Sequence, residues 1–383
     1  MFGNWKRLLT VGLLSLALAG CKIIPGGGQP PVVTPGPSQG PEENVLPTDD
    51  GRHRVALLVP LSGSNGEAGQ SIANATTMAL LDTNASNLRI TTYDTATGAG
   101  TAAAQAIRDG NKLILGPLLG TDVTAVLAQA RPASVPLISF SNDTSVAAQD
   151  VFVMGVMPEQ SITRTVDYAM GHGSKRFAAI VPNGEYGRRA EIALSGRISA
   201  MGGTLVATER YDRGNTSIIS AAERLKARGG FDTVLIADGV RLSAMAAGAL
   251  KDAGTALPRL VGTELWSGDD DLARAASLRG SWYSAVSDGR YRQFVTSYEA
   301  RFGNKPYRIA TLGYDSVLLT LRIARDWQPG RAFPTSQLLD DGGFLGIDGP
   351  FRFRRGGVAE RAMEVRQVGN GSVSVVDPAP TRF

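Results

Sequence analysis

From residue 54 onward the chain alternates between two apolar patterns. Short β-branched runs occur at Val55–Val59, Leu88–Tyr93, Lys112–Leu115, Val135–Phe140, Arg176–Val181, Thr204–Glu209, Thr233–Ala237 and Arg259–Thr263. Between them lie alanine- and leucine-rich stretches with helical spacing, near 68–82, 100–109, 121–130, 160–170, 186–200, 216–228, 240–253 and 270–278. Short strands with helical crossovers predict βαβ units and a parallel sheet. Runs such as RVALLV and TVLIA show little polar alternation, as expected of strands buried on both faces. There are too many strands for one short sheet, so the pattern predicts an α/β fold with two doubly wound lobes. Two further helices are expected near 290–302 and 309–326. The tail changes period. Phe351-Arg352-Phe353-Arg354 alternates, and Ala362–Val368 and Ser372–Val376 flank Gly369-Asn370-Gly371, which predicts hairpin structure with one packed and one wet face. The basic side of FRFRR reads as a solvated strand face or as an anion site.

The first fifty residues follow neither pattern. Lys6 and Arg7 precede an apolar run, Leu8 to Ala19, which ends in Leu18-Ala19-Gly20-Cys21. That is the anatomy of a secretory leader, and the run is shorter than the ~20 residues of a comfortable bilayer span. Its ending resembles the lipobox of bacterial lipoproteins, which implies lipidation at Cys21. A plain leader with an incidental cysteine is the alternative. Residues 22–50 are rich in proline, glycine and polar residues and predict a linker without a core. As a coil such a linker spans about 30 Å, and in polyproline geometry about 90 Å. The expected organisation is therefore a leader at 1–20, a linker at 21–51 and a body at 52–380.

Composition narrows the chemistry. Of the 39 basic residues, Lys6 and Arg7 lie in the leader, and the rest face 35 acidic ones, so no strongly basic nucleic-acid footprint is expected. With one cysteine and two histidines, His53 and His172, the chain has no intrachain disulfide. It also has scant means for Ser-His-Asp or Cys-His nucleophiles or Cys/His zinc sites. No phosphate-loop, dinucleotide-loop or nucleophile-elbow motif occurs. The expectation is a non-enzymatic protein without metal or cofactor.

In open α/β sheets, ligands bind beyond the carboxyl ends of the strands. The loops there carry Ser62 and Ser64, Asn142, Tyr186, Asp238, and Glu264 with Trp266, which form the predicted ligand cleft. Each loop is also explained by turn and cap chemistry. Tyr186, Glu264 and Trp266 are larger than a turn requires. Asp238 and Glu264 are the one acid pair to test for a carboxylate hydrolase.

The run VALLVPLSGSNGEAGQSIANATTMALLD, followed by LILGPLLGTDV, VPLISFSND and PNGEYGRR, resembles the type I periplasmic binding-protein fold of the branched-chain amino-acid class. The resemblance spans about 52–380. It implies two lobes joined by a three-strand hinge, with lobe one near 52–157 and 283–335 and lobe two near 158–282 and 336–379. It also places Tyr186 and Glu264 as far-lobe contacts, with Glu264 at an ammonium position. Where that class places hydroxyls for a carboxylate, this chain has Leu119 and Gly120, with Thr121 one residue on.

LVPLSG and the tail GIDGPFRFRRGGVAER…VDPAP are similar to lipoproteins that activate penicillin-binding proteins. That resemblance implies a regulator of peptidoglycan synthesis whose partner is a bifunctional penicillin-binding protein. Lys22 after Cys21 implies lipid anchoring in the outer membrane, facing the periplasm. Arg290, Arg292, Arg352, Arg354 and Arg355 are candidates for steering the partner. The alternative is a solute-binding receptor of an ABC transporter, closing on an amino acid or similar small polar ligand.

Overall fold

In the computed structural model, residues 51–251 and 258–383 are described. The leader, Cys21, the linker and residues 252–257 lie outside them. The first run builds β1 (His53–Val59), α1 (Gly66–Asp82), β2 (Leu88–Asp94), α2 (Ala99–Arg108), β3 (Leu113–Leu115), α3 (Gly120–Ala130), β4 (Leu137–Ser139) and β5 (Val151–Val153). The second builds α4 (Pro158–Gly171), β6 (Arg176–Pro182), α5 (Glu185–Ala200), β7 (Thr204–Tyr211), α6 (Ser217–Arg228), β8 (Thr233–Ile236), α7 (Val240–Leu250), β9 (Arg259–Val261) and β10 (Trp282–Val286). Then follow α8 (Tyr291–Phe302), α9 (Thr311–Ile323), β11 (Phe344–Gly346), β12 (Gly349–Phe353), β13 (Ala359–Arg361), β14 (Met363–Val368) and β15 (Val373–Asp377).

Two sheets define two lobes. The first has the order β2-β1-β3-β4-β5, and all its pairs are parallel. The second runs β15-β14-β10-β9-β8-β6-β7, with β14 and β15 added antiparallel at one edge. Both central sheets are sandwiched: Val55, Leu57 and Val59 face one core layer, and Ala56 and Leu58 the opposite one. That burial on both faces is why the strands read as continuous apolar runs. The chain passes between lobes three times, after β5, after β10 and between β13 and β14.

Two expected lobe boundaries move. Residues 283–286 belong to β10, hydrogen-bonded within the second sheet, so the crossing back to lobe one follows Val286 rather than preceding Tyr283. Residues 336–361 were expected in lobe two, yet Leu338, Phe344, Phe351, Phe353 and Ala359 are buried in the core layer beneath β1. The period-two placing of Phe351 and Phe353 drives this, since their rings meet each other and Phe344 or Phe152. Arg352 and Arg354 on the opposite side both bond Glu360, so the basic face of this strand is internally paired.

The helix expected at 270–278 is instead two 3-10 turns, Leu272–Arg274 and Ala276–Leu278. Ala275 between them leaves the helical region at ψ 87°, which lets Leu272 and Leu278 both reach the lobe-two core.

Candidate functional site

A cleft of about 350 Å³ opens where the two lobes face each other. Its near wall is largely apolar, with Leu118 and Phe140 from the strand ends of lobe one and Leu312 from α9. Its far wall carries Glu264, Ser267 and Val286 from lobe two. Gly155, on the first crossing, forms part of the floor. A Cβ there would lie 2.4 Å from the Ser141 carbonyl oxygen, so that close approach requires glycine.

Glu264 is the chemical centre of the far wall. It opens a 3-10 turn whose cap, Thr263, accepts from the Leu265 N–H. Tyr186 at the start of α5 donates its hydroxyl to Glu264 Oε1 at 3.0 Å and lies 2.9 Å from Thr263 Oγ1. The second oxygen, Oε2, is buried without a partner, as is Ser267 Oγ beside it. Burial, helped by the nearby Glu159 charge, pushes the Glu264 carboxyl up to about 7, against the pull of its hydrogen bonds and of Arg189. Burial and the Glu264 charge likewise push the Tyr186 hydroxyl well up. An unpaired carboxylate in such a site favours a protonated amine, whose charge and donors it lacks.

The sequence-predicted residues divide. Asn142 and Glu264 line the cleft, and Tyr186 stands behind Glu264. Ser62 and Ser64 sit exposed on the turn after β1 and are not among the lining residues. Asp238 is turned into lobe two: it accepts from Tyr211, from Arg213 at 2.8 Å and from the Gly239 N–H. It therefore does not face Glu264 across the cleft as a hydrolase pair would. Trp266 is fully buried, with its indole N–H on the Asp238 carbonyl at 2.9 Å and its ring over Gly262. A large residue after a strand was read as a ligand contact, but here it is the cover of a core.

On the near wall, Leu119 and Gly120 offer no hydroxyl, and Thr121 is exposed on the first turn of α3. Ser141 is the one hydroxyl the strand ends of lobe one bring there, and it already accepts from the Asp143 N–H.

Sequence reasoning missed Arg308, Thr311 and Asp348, which also line the cleft. They come from the return segment and from the turn between β11 and β12, places that the strand-end rule does not indicate. Arg308 donates to Asp348 at 2.7 Å, Thr311 donates to the other Asp348 oxygen at 2.9 Å, and the guanidinium lies over Tyr291.

The cluster continues into the hinge. Arg361 donates to the Met154 carbonyl at 2.6 Å, tying the third crossing to the first. Arg366 donates to the Val286 carbonyl and pairs with Glu364 and Asp288, which holds the second crossing. Asp315, buried beside Asp348, is pushed well up by burial and by that neighbouring charge. Contacts between the lobes also include Lys305 to Asp270 at 2.8 Å and Arg189 to the Asn142 carbonyl at 2.7 Å.

Two parallel-sheet lobes, a three-stranded hinge and an interlobe cleft define a binding protein of the type I periplasmic class. The family profile described as periplasmic binding protein matches residues 53–372, and the chain belongs to that family. Membership places it in the periplasm or envelope.

Solved structures agree on the fold. A putative branched-chain amino-acid ABC transporter protein from Rhodospirillum rubrum superposes with a TM-score of 0.73 at 19% identity, over 85% of this chain and 100% of that one. The Thermotoga maritima leucine-binding protein LivK gives 0.64 at 18%, over 84% and 97%. A Rhodopseudomonas palustris solute-binding protein, solved with 3,4-dihydroxybenzoic acid, gives 0.67 at 19%, over 87% and 97%.

In sequence, an uncharacterised Rickettsia prowazekii protein is 25% identical over 173 residues, which is 45% of this chain and 46% of that protein. The penicillin-binding protein activator LpoA of Glaesserella parasuis is 26% identical over 145 residues, 37% of this chain and 25% of that one. The chain thus spans less than half the length of either relative.

Proposed function

We propose that the protein is a non-enzymatic envelope lipoprotein that binds and activates a peptidoglycan synthase, a bifunctional penicillin-binding protein. Lipid on Cys21 would hold it to the outer membrane, and the proline- and glycine-rich segment would give the body reach toward a partner in the other membrane. The observation that carries this reading is the near wall. Leu119 and Gly120 stand where an amino-acid receptor places hydroxyl donors, and Thr121 faces solvent. A transport receptor of that class would lack its strand-end donors here, and its ligand's carboxylate would have to turn to Arg308 and Thr311 on the return segment. The partial similarity to an activator of penicillin-binding proteins points the same way.

Capture tests it. The protein is immobilised and exposed to detergent-solubilised envelope, and eluates are labelled with fluorescent penicillin. A specifically retained labelled band is expected, and a clean lane beside a positive extraction control would count against the reading.

A second reading is favoured by Glu264 Oε2 and Ser267 Oγ, both buried and unpartnered in residues that line the cleft. On this reading the cleft is a receptor for a small ligand with a protonated amine and an apolar body. Binding at a hundredfold excess over Kd would stabilise the protein by about 2.7 kcal/mol. Melting curves with leucine, benzylamine and benzoate separate the cases. A rise with the amines alone supports this reading, and no rise with any compound removes it.

A further inference from the structure

Lobe two has a second cavity, at the opposite pole from the cleft. It measures about 420 Å³ and lies at the amino ends of β6, β8, β9 and β10. The interlobe cleft lies beyond their carboxyl ends, and the seven residues of β6 separate the two by roughly 20 Å.

Three cations line the cavity: Lys251, Arg259 and Arg279. Arg259 is fixed in place, since its guanidinium lies 3.9 Å over the Trp282 ring and donates to the Gly280 carbonyl at 2.9 Å. Among the described residues, Lys251 and Arg279 have no ion-pair partner. Burial without a compensating charge holds the Lys251 ammonium below its ordinary range.

One carboxylate, Asp232, is in the wall, and the chain itself satisfies it. It accepts from the backbone N–H groups of Lys175 and Arg176 and from the Thr233 hydroxyl. It is therefore not the counter-ion of the three cations. A separate observation points to a ligand: Ser281, 1% exposed and lining the same cavity, has a buried hydroxyl oxygen with no partner. A buried hydroxyl normally finds a partner, and the exceptions need an explanation.

We propose that this cavity is a phosphate-group site, in which Lys251, Arg259 and Arg279 supply charge and the Ser281 hydroxyl completes the donor set. A multiply charged oxyanion suits a rigid guanidinium beside a point-charge ammonium. The group can belong to a soluble phosphate compound or to an anionic lipid headgroup, and the experiment separates these. The site is independent of the cleft and of the synthase reading.

The test uses the full chain carrying Cys21→Ser, which removes acylation, at low ionic strength where screening is weak. Inorganic pyrophosphate is titrated calorimetrically, and vesicles of phosphatidylcholine with or without phosphatidylglycerol are floated. Comparison is made with Lys251→Gln/Arg279→Gln, and with a control that loses two cations elsewhere on the lobe, Arg228→Ala/Arg241→Ala. Saturable pyrophosphate binding, weakened about tenfold or more in the first variant and retained in the control, supports a soluble source. Flotation with anionic vesicles alone, lost in the first variant and kept in the control, supports a headgroup source. If the double variant does not fold, Arg279→Gln alone carries the comparison. Neither kind of binding, or an equal loss in the control, overturns the proposal.

Discussion

Buried charge governs the behaviour of the single residues that matter most here. Glu264 keeps its proton to about pH 7, whereas in the unfolded chain it loses it near its ordinary value. Between those two points the folded state holds more protons than the unfolded one, so stability falls as pH rises through that window. Glu264→Gln removes the burden. The variant is expected to match the parent near pH 4.5 and to exceed it at pH 8, by on the order of 3 kcal/mol, in urea unfolding. A parent that is equally or more stable at pH 8 would mean that Oε2 already has a partner. Arg361 makes the opposite case, because its guanidinium is buried and holds the Met154 carbonyl across the hinge. Arg361→Met is expected to cost about 3–5 kcal/mol in the same assay, since the Met154 carbonyl and Asp348 lose a buried cation.

The signal that exposed Glu264 and Tyr186 in the sequence was size, a side chain larger than a turn needs. The same signal picked out Trp266, and position after a strand picked out Asp238; both point inward. Position after a strand fixes where a residue sits but not which way it faces. Trp266 turns inward because Gly262 leaves room for its ring and the Asp238 carbonyl takes its N–H.

At the scale of elements, each lobe opens with the same device. A proline ends the first strand, and a glycine in the first turn of the next helix rides over its carbonyl. A Cβ on Gly69 would lie 1.7 Å from the Pro60 oxygen, and one on Gly187 1.8 Å from the Pro182 oxygen. Neither overlap can be relieved by a rotamer, so Gly187→Ala is expected to cost roughly 2–4 kcal/mol by displacing α5. In that variant Tyr186, the neighbouring residue, would also lose its contact with Glu264. Thermal unfolding reads the first effect, and a further rise of the Glu264 titration, once the Tyr186 hydrogen bond no longer holds it down, reads the second.

The long parallel strands were legible because burial on both faces leaves an unbroken apolar run. β5, β11 and β13, with three residues each, are too short to establish any period. β10 reads WYSAV and is fully buried, but its residues are too mixed to signal a strand. The lobe boundaries followed from those omissions: without β10 and β11 the crossings were placed several residues early or on the wrong lobe.

At the scale of the whole molecule, two lobes and three crossings make a body that closes around a cleft or presents its closed surface to a partner. Salt bridges such as Lys305 to Asp270 join the lobes. They are exposed and individually worth little. Such contacts leave the lobes free to separate at little cost. The fold alone does not choose a function, since the same architecture carries many. The missing strand-end hydroxyls and the partial similarity to an activator favour the synthase reading.

The most direct measurement is the rate of glycan polymerisation by the captured penicillin-binding protein, with and without the purified protein, at matched detergent. The synthase reading predicts a several-fold, saturable rise in rate, and contact made outside the cleft predicts that the rise survives Glu264→Gln. An unchanged rate across a saturating range of the added protein would contradict it.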